Sequence, residues 1–85
     1  MNKDELIEKL RPIVATYAQN KEALDKLDEN TDFINDLKIN SANLVDVILD
    51  IEEAFDIEID NASMEQMLNV KAAIEVIEAK LNDRH

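Results

Sequence analysis

An 85-residue chain with 46% apolar and 34% charged side chains has material for one small core and no second domain. It has no cysteine, and its single histidine, His85, is the last residue, which removes disulfides, thiolate nucleophiles, cysteine zinc sites and most acid–base catalysis. The formal charge of −11 is uneven: residues 39–70 carry eight carboxylates and neither Lys nor Arg, a surface that repels nucleic acid and anionic lipid and attracts basic proteins.

With no Gly and one Pro, neither a hairpin-rich sheet nor a glycine loop around a phosphate is credible. Apolar residues recur instead at helical spacing. The first stretch, residues 3–18, puts Leu6, Leu10, Ile13, Val14 and Tyr17 on one face, with Pro12 predicting a kink or a helix that starts near it. Residues 19–40 are polar with scattered hydrophobes (Leu24, Leu27, Phe33, Ile34, Leu37, Ile39), and a link this long is uncommon unless it packs on the core. Phe33 is expected to pin it, with a short turn at residues 21–27. A second helix is predicted over 41–55, an extended stretch over 56–60, a short turn over 62–67 and a last helix over 70–81 with Val70, Ala73, Ile74, Ile77 and Leu81 inward. The sum is an all-α four-helix bundle, three helices long and one short, in a single domain of residues 1–85. No secretory leader and no apolar run near the ~20 residues needed to cross a bilayer is visible, so a cytoplasmic monomer is expected, without membrane insertion. The glycosylation-type tripeptide Asn61-Ala62-Ser63 is discounted on the same ground.

At 100° per residue the second helix gathers Leu44, Val47, Ile48, Ile51, Ala54 and Phe55 on its core stripe. Its opposite face gathers Ala42, Val45, Asp46, Leu49, Glu53 and Asp56. Val45 and Leu49 are thus predicted to face water inside a rim of carboxylates, the composition of a docking patch, although isolated exposed hydrophobes are also common. Ser41 stands where the loop turns into this helix. Either Asn40 or Ser41 can cap it, or Ser41 can carry a phosphodiester favoured by the positive helix end. No side chain near it in sequence could activate its hydroxyl, so any modification is the work of another enzyme.

The run Phe33-Ile34-Asn35-Asp36-Leu37-Lys38-Ile39-Asn40-Ser41, then Leu44-Val45-Asp46-Val47-Ile48, Glu52-Glu53-Ala54-Phe55-Asp56-Ile57-Glu58-Ile59 and Val70-Lys71-Ala72-Ala73-Ile74, resembles the acyl carrier proteins. The likeness is close over residues 33–81 and looser in the first helix. It implies a non-enzymatic carrier with phosphopantetheine attached to Ser41 and acyl intermediates held as thioesters. It also implies recognition through Asp36, Asp46, Glu52, Glu53 and Asp56 around Leu49, with Val45 beside it. The implied partners are a phosphopantetheinyl transferase and acyl-transferring and chain-elongating enzymes with basic docking surfaces, in fatty acid, polyketide or related synthesis. Where the family usually reads Gly-x-Asp-Ser-Leu, this chain has Lys38-Ile39-Asn40-Ser41-Ala42, and Asn43 replaces a frequent acid. Those departures weaken electrostatic docking beside the arm and imply a specialised carrier with dedicated partners. The alternatives are an aminoacyl or peptidyl carrier of nonribosomal synthesis and a plain acidic interaction module in which Ser41 only caps.

The alternating run Asp56-Ile57-Glu58-Ile59-Asp60 fails as a calcium loop, because Asn61 and Met67 stand where Gly and Glu are needed, and no metal is expected. Met64 and Met67 fill core gaps or let an acyl chain slide between helices, against Phe33, Val47, Ile51 and Ile59.

Overall fold

A computed structural model describes residues 2–82, so His85 lies outside the described residues. Among the described residues there are five α-helices: α1 (Lys3–Ala15), α2 (Lys21–Asp25), α3 (Leu44–Phe55), α4 (Asn61–Gln66) and α5 (Val70–Asn82). This is the expected helical bundle with three long helices, plus one further short helix, α2, where the spacing predicts a turn. α2 has no fully buried side chain, so its apolar pattern is too weak to read as a helix.

α1 starts at Lys3 and not near Pro12, because Asn2 caps it: Asn2 Oδ1 accepts the Glu5 N–H at 2.8 Å. Asp4 and Glu5 add negative charge at the positive end of the helix. Pro12 is accommodated inside, forgoing the one bond its N–H would have made to the Glu8 carbonyl. The helix stops at Ala15, three residues short of expectation. The N–H groups of Tyr17 and Ala18 both fold back onto the Val14 carbonyl, at 3.0 and 2.8 Å. Leu6, Leu10 and Val14 are buried, while Ile13 and Tyr17 lie at the margin.

α3 buries Val47, Ile48, Ile51 and Phe55, with Leu44 partly covered. Ala54 is a correction: it is exposed. It falls at the edge of the stripe, in the last turn of α3. α5 buries Val70, Ala73, Ile74 and Ile77, and Leu81 packs partly against them. α1 packs on both α3 and α5, and α4 leans on α5.

The stretch from residue 28 to 40 has no helix yet is tied throughout. Leu27, Thr31, Phe33, Leu37 and Ile39 are all buried, so Phe33 pins the loop as expected, together with four others. Asp32 pairs with Asn69 in an antiparallel bridge; the Phe33 N–H reaches the Leu68 carbonyl at 3.0 Å and the Val70 N–H reaches the Thr31 carbonyl at 2.9 Å. Asp32 Oδ1 also accepts the N–H groups of Ile34 and Asn35. The loop is therefore a fixed platform, anchored to the start of α5 and leading into α3.

Candidate functional site

Asn40 and Ser41 sit at the end of that platform. Ser41 opens a single 3₁₀ turn, Ser41–Asn43, that continues into α3. The cap is Asn40: its Oδ1 accepts the Ala42 N–H at 2.9 Å, and its carbonyl accepts the Asn43 N–H at 2.8 Å. The Ser41 hydroxyl is exposed and has no hydrogen-bond partner among the described residues. Reading Ser41 as a mere cap therefore fails, since the capping bond belongs to its neighbour. An exposed, unbonded hydroxyl at the positive end of a 3₁₀ turn and the twelve-residue helix behind it suits a phosphodiester, so the residues fit the phosphopantetheine group.

Along the outer face of α3, Val45 is 49% and Leu49 53% exposed, amid exposed Asp46, Glu53 and Asp56. The helical wheel's patch is thus present. Two other expected recognition carboxylates are engaged within the fold. Asp36 Oδ2 accepts the Asp32 N–H at 2.7 Å, and the half-buried Glu52 offers Oε2 to the Ile59 N–H at 2.8 Å. Glu52 also receives the Ile57 N–H on its carbonyl at 3.0 Å, next to the left-handed Asp56 (φ 55°) that ends α3. It holds the extended stretch against the helix as well as contributing charge.

Phe33, Val47, Ile51, Ile59 and Met67 are buried in the one continuous core, and Met64 packs against it. An acyl chain among them would have to part side chains that now touch each other.

Four features escape the sequence. Leu68 is 47% exposed in the connection before α5, with nothing in its spacing to mark it. The Asp50 carboxylate accepts the Tyr17 hydroxyl at 3.0 Å, bridging α3 to the turn that follows α1, and that bond, with the nearby negative charge, holds the Tyr17 phenol above its ordinary range. Lys38 has φ 59°, a left-handed conformation between two buried neighbours, Leu37 and Ile39. At the start of α4, the Ser63 hydroxyl first, with Lys80 3.4 Å away, holds the Asp60 carboxyl below its usual range.

No helix of the described residues is long and apolar enough to cross a membrane. The sequence profile of the phosphopantetheine attachment site matches residues 8–77, spanning Ser41 and both faces of α3. Acyl carrier proteins from three organisms align over most of their own length. That of Guillardia theta is 34% identical over 83 residues (95% of this chain, 98% of the relative). Those of Desulforapulum autotrophicum and Prochlorococcus marinus are 39% identical over 72 residues (85% and 92%) and 36% over 80 residues (94% and 98%). With a capped helix that leaves its first hydroxyl unbonded, and with these matches along nearly its whole length, the chain belongs to the family of the acyl carrier proteins, defined by a phosphopantetheine attachment site.

Proposed function

We propose that the single domain of residues 1–85 carries acyl intermediates as thioesters on a phosphopantetheine arm joined to Ser41. As a monomer in the cytoplasm, it presents them to enzymes of fatty acid, polyketide or related synthesis. It is a carrier and not a catalyst, in keeping with its family. The observation that carries the reading is the exposed Ser41 hydroxyl left without a partner while Asn40 caps the turn. The phosphopantetheinyl transferase must supply both the activating base and the phosphate donor, since this chain offers Ser41 neither.

Docking falls to Val45 and Leu49 as the apolar centre and to Asp46, Glu53 and Asp56 as the rim, with Asp36 and Glu52 adding charge from fixed positions. Such a rim speeds encounter with basic enzymes more than it adds affinity, which suits a carrier that must leave each partner quickly. The cargo is sheltered by Phe33, Val47, Ile51, Ile59, Met64 and Met67, with the two methionines the most adaptable of the six.

Co-expression with a broad-specificity phosphopantetheinyl transferase tests the reading. The intact mass is expected to rise by one phosphopantetheine in the native chain and to stay unchanged in Ser41→Ala. No gain in the native chain with several such transferases would overturn the carrier assignment.

A further inference from the structure

Most cations of the described chain are engaged. Lys3, Arg11 and Lys80 pair with carboxylates, Lys9 lies over the Phe55 ring and Lys21 reaches the Ala15 carbonyl. Lys26, Lys38 and Lys71 have no side-chain partner among the described residues. In a chain with 20 carboxylates against nine Lys and Arg, an ammonium that makes no ion pair within the fold stands out. Two of those three line one open groove of about 470 Å³ between α2 and the loop platform.

That groove begins close to Ser41. Lys38 lies three residues before it, so the two Cα atoms are at most about 11 Å apart. Its wall also holds Asn30 and Asn35, whose side-chain amides both donate and accept, and two carboxylates, Asp28 and Asp36. Both carboxylates are already bonded to the loop: Asp28 Oδ1 by the Asn30 N–H at 2.8 Å and by the Thr31 hydroxyl, Asp36 Oδ2 by the Asp32 N–H. The groove is formally neutral, two cations against two anions, on a molecule of charge −11. On the α3 side of Ser41, Asp46 stands in the first turn of the helix and Glu53 and Asp56 follow toward and past its far end, with no cation on that helix.

We propose that this groove is a resting site for the polar part of the phosphopantetheine arm, its phosphodiester on the Lys38 side and its hydroxyl and amides farther in, against Lys26, Asn30 and Asn35. The inference rests on Ser41 carrying the arm and adds where the arm lies between encounters. Charge decides the direction: a phosphodiester on Ser41 is repelled from the α3 face and attracted to the two free ammonium groups. Lys38 sits at φ 59°, a conformation that disfavours any residue with a Cβ, so a cation stands there where glycine would be easier for the backbone. When a partner covers the acidic face of α3, its own cations compete for the phosphodiester and draw the arm out of the groove.

The test attaches a nitroxide to the terminal thiol of the loaded protein and reads the relaxation of backbone amides by NMR. Broadening at Asn30 and Asn35 is expected to exceed that at Val45 and Leu49 by roughly fivefold at low salt and to even out at high salt. The Lys26→Gln, Lys38→Gly double variant, changed at two exposed positions, should lose the difference. Even broadening in the native chain, broadening stronger over α3, or a double variant that behaves like the native chain would each overturn the resting site while leaving the carrier reading intact. A chain that takes no arm at all overturns both, and the intact mass tells the two failures apart.

Discussion

Lys38 sits in a left-handed conformation that costs an ordinary L-residue roughly 1–2 kcal/mol, and its two neighbours are buried, so the turn cannot relax. Glycine enters that region freely but loses more freedom on folding, by about 0.5–1 kcal/mol. The difference predicts that Lys38→Gly stabilises the unmodified protein by about 0.5–1 kcal/mol in urea unfolding, and a measured loss would contradict the strain. Two residues on, the division of labour between Asn40 and Ser41 gives a paired prediction. Asn40→Ala removes the bond to the Ala42 N–H and is expected to cost about 1 kcal/mol, whereas Ser41→Ala removes a hydroxyl bonded to nothing and should stay within about 0.5 kcal/mol. The reverse order would mean that Ser41 is the cap after all.

At the scale of the element, α3 separates two tasks by face. Ile51 is fully buried and its truncation to Ala should cost about 2–5 kcal/mol, while Asp46 and Glu53 are exposed and can be reversed to Lys with the fold intact. The double reversal is expected to slow loading by the transferase and association with acyl-transferring enzymes, most at low salt; unchanged association rates would remove α3 as the docking face. This helix, α1 and α5 were legible because their apolar residues recur at three and four, and the exposure of Val45 and Leu49 followed from the same wheel. What stayed hidden depends on chain path. The capping choice between Asn40 and Ser41 turns on a local geometry that either side chain could satisfy. Asp36 and Glu52 find their partners only once the loop and the extended stretch fold back on them. α2 buries nothing completely and left no periodic trace, and the loop platform is fixed by pairing with Asn69 and Val70, almost forty residues away. The junction between α4 and α5 has a pH signature of its own. Because Asp60 titrates below its unfolded value, its contribution is present above about pH 4 and is lost as pH falls through its lowered value. Native protein should therefore melt above Asp60→Asn at neutral pH, and the gap should close in acid; a gap independent of pH would argue against the Ser63 and Lys80 interactions as its cause.

For the whole molecule, the balance is between a small core and a large charge. A chain of 85 residues typically has a net stability of about 4–13 kcal/mol, and this one carries −11 within a Cα radius of gyration of 11.8 Å. The eight carboxylates of residues 39–70 cluster on α3, α4 and the stretch between them, with no Lys or Arg in the same segment; Lys80, from α5, pairs with Asp60. At low ionic strength these charges repel over tens of ångströms, whereas at physiological salt the range shrinks to about 8 Å, roughly one and a half helical turns. The unfolded chain spreads the same charges apart, so repulsion weighs mainly on the folded state. Screening should then stabilise folding: raising sodium chloride from a few millimolar to about 0.2 M is expected to lift Tm by about 5 °C, which corresponds to roughly 1 kcal/mol for a domain of this size. Magnesium should reach the same rise at a lower concentration, because a divalent ion screens more strongly and can bridge neighbouring carboxylates without any built site. A Tm that stays flat or falls with added salt would show that the existing ion pairs, which salt weakens, outweigh the repulsion. In that case the acidic face of α3 would cost the fold nothing, and its charge could not be read as stability given up for docking.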